Sequence, residues 1–154
     1  MKYKKTLPKL EHPQKKYFIT FVTWERLELT PEGRKVVLDA CCFFHQNRYQ
    51  IYAIVIMPDH VHLLLQPWQK SEDEYWSLGS ILHSMKSYSA KQIPKVMNYM
   101  GKVWQDGRYD EMIRNEEGFR AKWEYIRQNP VKAGLSPTPE AYPFFWESDE
   151  LTFS

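Results

Sequence analysis

The chain has 154 residues, 43% of them hydrophobic and 16% aromatic, with a formal charge of only +2. That length supports one compact domain with a sizeable core and excludes a second full domain. No stretch approaches the ~20 apolar residues of a membrane span, and Met1, Lys2, Tyr3, Lys4 and Lys5 lack the apolar core of a secretion signal, so a cytoplasmic protein with no membrane partner is expected.

The charge is unevenly spread. Lys2, Lys4, Lys5, Lys9, Lys15 and Lys16 face only Glu11, whereas Glu140, Glu147, Asp149 and Glu150 meet no base. A basic arm over 1–16 can bind phosphate or simply be solvated. A domain over 17–135 and a tail over 136–154 follow. Cys41 and Cys42 are neighbours with no other cysteine to pair with, and they read as reduced thiols.

Tyr17 to Trp24, rich in aromatic and β-branched residues, reads as a first strand. Thr30, Pro31 and Glu32 supply a cap, an N1 proline and an early acid for a helix through about Gln46. Tyr49 to Met57 and His60 to Gln66 read as two strands broken at Pro58 and joined as a hairpin. Ser71 to Glu74 resembles a capping box for a second helix that ends at Pro94. Asp106-Gly107 is a turn signal between Val103-Trp104 and a strand from Tyr109 to Ile113. A last helix runs from about Glu116 to Asn129, with Phe119, Trp123 and Ile126 inward and Pro130 as its stop. The order predicts an α+β, ferredoxin-like split βαβ fold: an antiparallel sheet with helices packed on it and an extra C-terminal helix.

His60 and His62 carry the chemistry most visibly. A strand's two-residue period puts both imidazoles on one face, where they form half of a divalent-metal site or a plain surface or core pair. Tyr125 and Asn129 lie one helical turn apart, about 5–6 Å between Cβ atoms, at the edge of the inward stripe. The phenol can attack phosphorus and the amide can ligate a cation, or the two can merely pack.

Four separated motifs stand in order: Met57-Pro-Asp-His-Val-His-Leu-Leu-Leu65; His83-Ser-Met-Lys-Ser-Tyr88; Val103-Trp-Gln105 with Tyr109-Asp110 and Ile113-Arg114; and Trp123-Glu-Tyr-Ile-Arg-Gln-Asn-Pro-Val-Lys-Ala-Gly-Leu135. Together, across about residues 17 to 146, they resemble the single-tyrosine HUH transposases, above all the REP-associated tyrosine transposases. The resemblance implies that His60, His62 and Asn129 hold a divalent cation, magnesium or manganese. It implies that Tyr125 is the nucleophile, and that single-stranded or hairpin DNA is cleaved through a 5′-phosphotyrosine and rejoined. It also implies a nucleoid-associated monomer, with a dimer as the other arrangement in the wider family. Asp59 and Ser89 depart from the asparagine and threonine of many relatives; Asp59 is read as a turn residue. A free tyrosine is only about 0.1% ionised at neutral pH, a deficit of about 4 kcal/mol that the metal or a cation such as Lys132 or Arg127 must offset.

Lys86, Lys91, Arg108, Arg114 and Trp104 are the expected DNA contacts, Lys86 foremost, with Trp68 and Trp76 as further exposed aromatics. His83 is read as a core group rather than a ligand. The alternatives are a non-catalytic DNA-binding regulator on the same fold, or a metal-dependent hydrolase in which Tyr125 only packs.

Overall fold

The computed structural model describes residues 15–149. Lys2, Lys4, Lys5 and Lys9 of the expected arm lie outside them. The elements are β1 (Lys16–Val22), a 3-10 turn (Trp24–Arg26), α1 (Pro31–Cys42), β2 (Tyr49–Ile56), β3 (His60–Pro67), β4 (Gln69–Ser71), β5 (Glu74–Tyr75), α2 (Leu78–Met97), β6 (Tyr109–Ile113), α3 (Glu116–Lys132) and β7 (Phe145–Glu147). β6, β1, β3, β2 and β7 form one antiparallel sheet in that order. Without β7, this is the strand order of the split βαβ fold, as expected.

Strand alternation sorts the side chains into two layers. Tyr17, Ile19 and Phe21 of β1 and Val61, Leu63 and Leu65 of β3 pack with α1 and α2. Phe18 and Leu64 face the other way, into a smaller core completed by Phe119 and Ile126 of α3. β2 serves both layers by a bulge. Its register slips between Ile51 and Ala53, so Ile51 and Ile54, three apart, both face α1 and α2, while Ala53 and Val55 face α3. β3 lies between β1 and β2, and its rigid backbone carries His60 and His62 on the α3 face.

The helix ends differ from expectation for identifiable reasons. Ser71 to Glu74 is no capping box: β4 and β5 pair across it, and Trp76 N–H donates to the Trp68 carbonyl at 2.9 Å. Arg48 and Lys70 lie over the Trp76 ring at 4.3 and 4.9 Å. The cap of α2 is Ser77, whose hydroxyl accepts from Ser80 N–H at 3.1 Å. Pro94 does not stop α2. Ile93 is fully buried, and Met97 docks against Gly33 of α1, where a Cβ would come within 2.5 Å of its sulfur. Left-handed Asn98, φ 50°, closes the helix instead.

Pro130 likewise sits inside α3. It is buried, and Gly134 at φ 74° ends the helix, its N–H donating to the Val131 carbonyl at 3.0 Å. Asp106-Gly107 makes no hairpin, because β6 pairs with β1 while Trp104 bridges Thr23. The chain after α3 returns to the sheet: Tyr142 is buried with its hydroxyl on the Ile56 carbonyl at 2.5 Å, and β7 lines the β2 edge. Arg127 grips both Glu140 and Glu147. Among the described residues no helix is long and apolar enough to cross a membrane.

Candidate active site

His62 sits opposite Thr20 of β1, and its Nδ1 lies 2.7 Å from the Thr20 hydroxyl. It is buried. Burial above all, then the His60 and Lys122 charges, push this imidazole down to about 3, so it is neutral at ordinary pH. His60 is next on the same face, the two ring centroids 4.7 Å apart. Its Nδ1 lies 2.7 Å from Asp59 Oδ1. A carboxylate only accepts, so Nδ1 carries the proton and, in the neutral ring, Nε2 keeps the lone pair.

Asp59 therefore does more than the turn role assigned from sequence. Its carbonyl holds the turn, accepting from Thr23 N–H at 3.0 Å and Thr23 Oγ1 at 3.1 Å, while its carboxylate orients His60 and meets Arg26 at 3.3 Å. Arg26 and Glu25 stand at left-handed φ of 56° and 48°. Such backbone costs about 1–3 kcal/mol per residue and concentrates where a site constrains the chain.

α3 brings the phenol. Asn115 caps it, its Oδ1 accepting from Gly118 N–H at 2.7 Å, and Phe119 and Ile126 anchor it on the sheet. Tyr125 lies off that stripe and is 45% exposed, yet its ring is 5.2 Å from the His62 ring, edge to face. An apolar packing residue would be covered; this one borders a buried imidazole while staying open to solvent. Asn129 follows one turn later on α3, half-buried.

Phe18 of β1 is the floor. It stacks on His62 at 5.5 Å, meets Tyr125 edge-on at 5.9 Å and Tyr109 at 6.4 Å. Lys122 Nζ stands 4.6 Å from its centroid and 3.5 Å from Glu111 Oε1, which also accepts the Tyr109 hydroxyl at 2.7 Å. Sequence reasoning missed Lys122. The available signal was its position three residues before Tyr125, on the same helical face.

Among the described residues no three His, Cys, Asp or Glu side chains gather into a metal cluster. The donor chemistry nevertheless fits a hard or borderline divalent cation: two imidazoles on one sheet face, each with Nδ1 beside an outer partner, to which Asn129 on α3 would add an amide oxygen.

The expected DNA contacts divide. Trp104 is a correction: it is 6% exposed, its ring against Phe21 at 4.9 Å and its indole N–H donating to Ser89 Oγ at 2.9 Å, so it is core. Lys86 is half-buried and spends its ammonium on the carbonyls of Gln105 at 3.0 Å and Gly107 at 2.8 Å. With Lys102, Trp104 and His83 it lines a groove of about 390 Å³; His83 is exposed there and is not the core group expected from sequence. This is the α1 and α2 layer, across the sheet from the histidines. Lys91 and Arg114 are exposed. Arg108 Nε pairs with Asp110 at 3.0 Å. Arg127, offered as an aid to the phenol, is held by Glu140 and Glu147 instead.

Burial, outweighing the favourable Asp106 charge, lowers the Lys86 pKa from 10.5 to about 8. Between those values the unfolded chain binds more protons than the native one, so this group's contribution to stability rises with pH across the window. The unfolding free energy of the wild type relative to Lys86→Met is expected to climb from pH 8 to 10.5 in urea titrations; a flat or falling difference contradicts the burial.

The family described as "Transposase IS200 like" matches residues 13–129. A Haemophilus influenzae protein named as a REP-associated tyrosine transposase is 28% identical over 142 residues, covering 83% of this chain and 77% of that protein. A solved REP-associated tyrosine transposase bound to a REP hairpin superposes with a TM-score of 0.70 at 22% identity, covering 98% of this chain and 96% of that one. The match over most of the domain, with the histidine pair and Tyr125 brought together on one sheet face, places this chain in the IS200-like transposase family.

Proposed function

We propose that this transposase nicks and rejoins single-stranded DNA at palindromic hairpin elements through a 5′-phosphotyrosine on Tyr125. One observation carries the reading: a half-exposed phenol 5.2 Å from the ring of a buried histidine. Tyr125 releases its phenolic proton to solvent and its oxygen attacks phosphorus, forming the Oη–P bond as the P–O3′ bond breaks and the leaving 3′ oxygen takes a proton from solvent. The ester linkage is kept in the adduct, so an incoming 3′-OH reverses the step without an external energy source.

His60, His62 and Asn129 would hold magnesium or manganese, which when bound neutralises charge on a non-bridging phosphate oxygen. Asp59 and Thr20 fix the two rings, and Phe18 excludes water from one side of His62. The hairpin in the solved relative supports hairpin DNA as the substrate class. Histidines and tyrosine come from one chain, which supports action as a monomer. Arg114, exposed and basic beside β6, is the DNA contact retained from the sequence; Lys91 is exposed but sits on α2, across the sheet from the histidines, and Arg108 and Lys86 shape the loop before β6.

The test is incubation with labelled palindromic oligonucleotides and magnesium. A denaturant-stable protein–DNA band whose peptide map ends on Tyr125 is expected; DNA bound without any such band selects the non-catalytic regulator.

A further inference from the structure

We propose that Lys122 is a further catalytic residue: its ammonium binds the scissile phosphate and balances the charge that grows on phosphorus as Tyr125 attacks. This rests on the strand-transfer reading above. Lys122 precedes Tyr125 by three residues on α3, so the two side chains leave the same helical face. They converge on one landmark. Phe18 meets the Tyr125 ring at 5.9 Å and carries Lys122 Nζ 4.6 Å from its centroid, while stacking on His62 at 5.5 Å. Ammonium, phenol and imidazole therefore border a single ring, and a phosphate reached by the phenol lies within the field of the amine.

The amine is also available. Its anionic neighbour Glu111 stands at 3.5 Å, beyond a good charged hydrogen bond, and Glu111 already accepts the Tyr109 hydroxyl at 2.7 Å. Lys122 is partly exposed, its side chain at 30%, so a phosphate can displace the loose pairing. Arg127, two residues past the phenol in sequence, is committed to Glu140 and Glu147. Attack adds charge to an already anionic diester, and a positioned cation stabilises that change more than the ground state.

Single-turnover cleavage of a labelled hairpin at saturating protein separates charge from packing. Lys122→Met keeps an unbranched apolar chain over Phe18 without the charge, and Lys122→Arg keeps the charge. The expected result is a fall of about 10²–10³-fold for Lys122→Met, with Lys122→Arg within about tenfold of wild type and hairpin affinity of both within about threefold. A role in packing alone predicts the reverse order, Met active and Arg impaired, and overturns the proposal, as does Lys122→Met cleaving at the wild-type rate. Failure of the wild type itself to form an adduct defeats the strand-transfer reading instead.

Discussion

Tyr125→Phe is expected to abolish the covalent protein–DNA adduct while hairpin affinity stays within about threefold of wild type. The substitution removes one oxygen and nothing else. The ring keeps its edge contacts with His62 at 5.2 Å and Phe18 at 5.9 Å, and among the described residues Tyr125 Oη makes no hydrogen bond on which folding would depend. Removal of a nucleophile costs at least about 10³-fold, enough to take cleavage to background in a gel assay. Unfolding midpoints should be unchanged because the residue is 45% exposed. An adduct that persists in Tyr125→Phe would reassign the nucleophile, and Tyr109, which meets Phe18 from the β6 side at 6.4 Å, is the next phenol to test.

The sheet and helix order were legible because the local signals agree with the tertiary ones. β1, β2 and β3 are runs of aromatic and β-branched residues, and Thr30 with Pro31 starts α1 as a cap and an N1 proline should. The helix ends were not legible where a long-range contact outweighs a local signal. Pro94 and Pro130 each remove one backbone donor, but burial of Ile93 and of Pro130 itself holds the chain helical past them. Ser71 to Glu74 carries capping-box residues, yet the Trp68–Trp76 backbone bond and two cations on Trp76 hold it as a hairpin.

The same division runs through the site. That His60 and His62 share one sheet face is legible from strand period, and that Tyr125 and Asn129 share one helix face from helix spacing; the roles offered for all four come from the resemblance. What no one-dimensional pattern gives is the partner across the sheet. Thr20 is 42 residues from His62 and becomes its hydrogen-bond partner only through the β1–β3 register. Trp104 was misjudged for the same reason: its indole N–H is satisfied by Ser89 on α2, fifteen residues earlier, which turns an amphipathic aromatic into core. Lys122 became visible only once Phe18 showed that the α3 face and the histidine face meet.

Replacing His60 and His62 together by alanine is expected to eliminate cleavage at every magnesium or manganese concentration, whereas Thr20→Val should weaken it about 10–100-fold and recover as metal is raised. The contrast follows from what each change removes. On the proposed cation site the double substitution deletes both imidazole donors, and an amide and phosphate oxygens alone would leave a cation no fixed place on the sheet. Thr20→Val keeps shape and volume beside His62 but takes away the hydroxyl 2.7 Å from Nδ1, so the ring still offers Nε2 with its orientation less restrained. A variant weakened only in metal affinity is rescued by mass action; one without ligands is not. Cleavage by the double variant at a wild-type rate would exclude the histidines as ligands. A Thr20→Val defect that metal does not relieve would show that the hydroxyl acts on the reaction other than through His62.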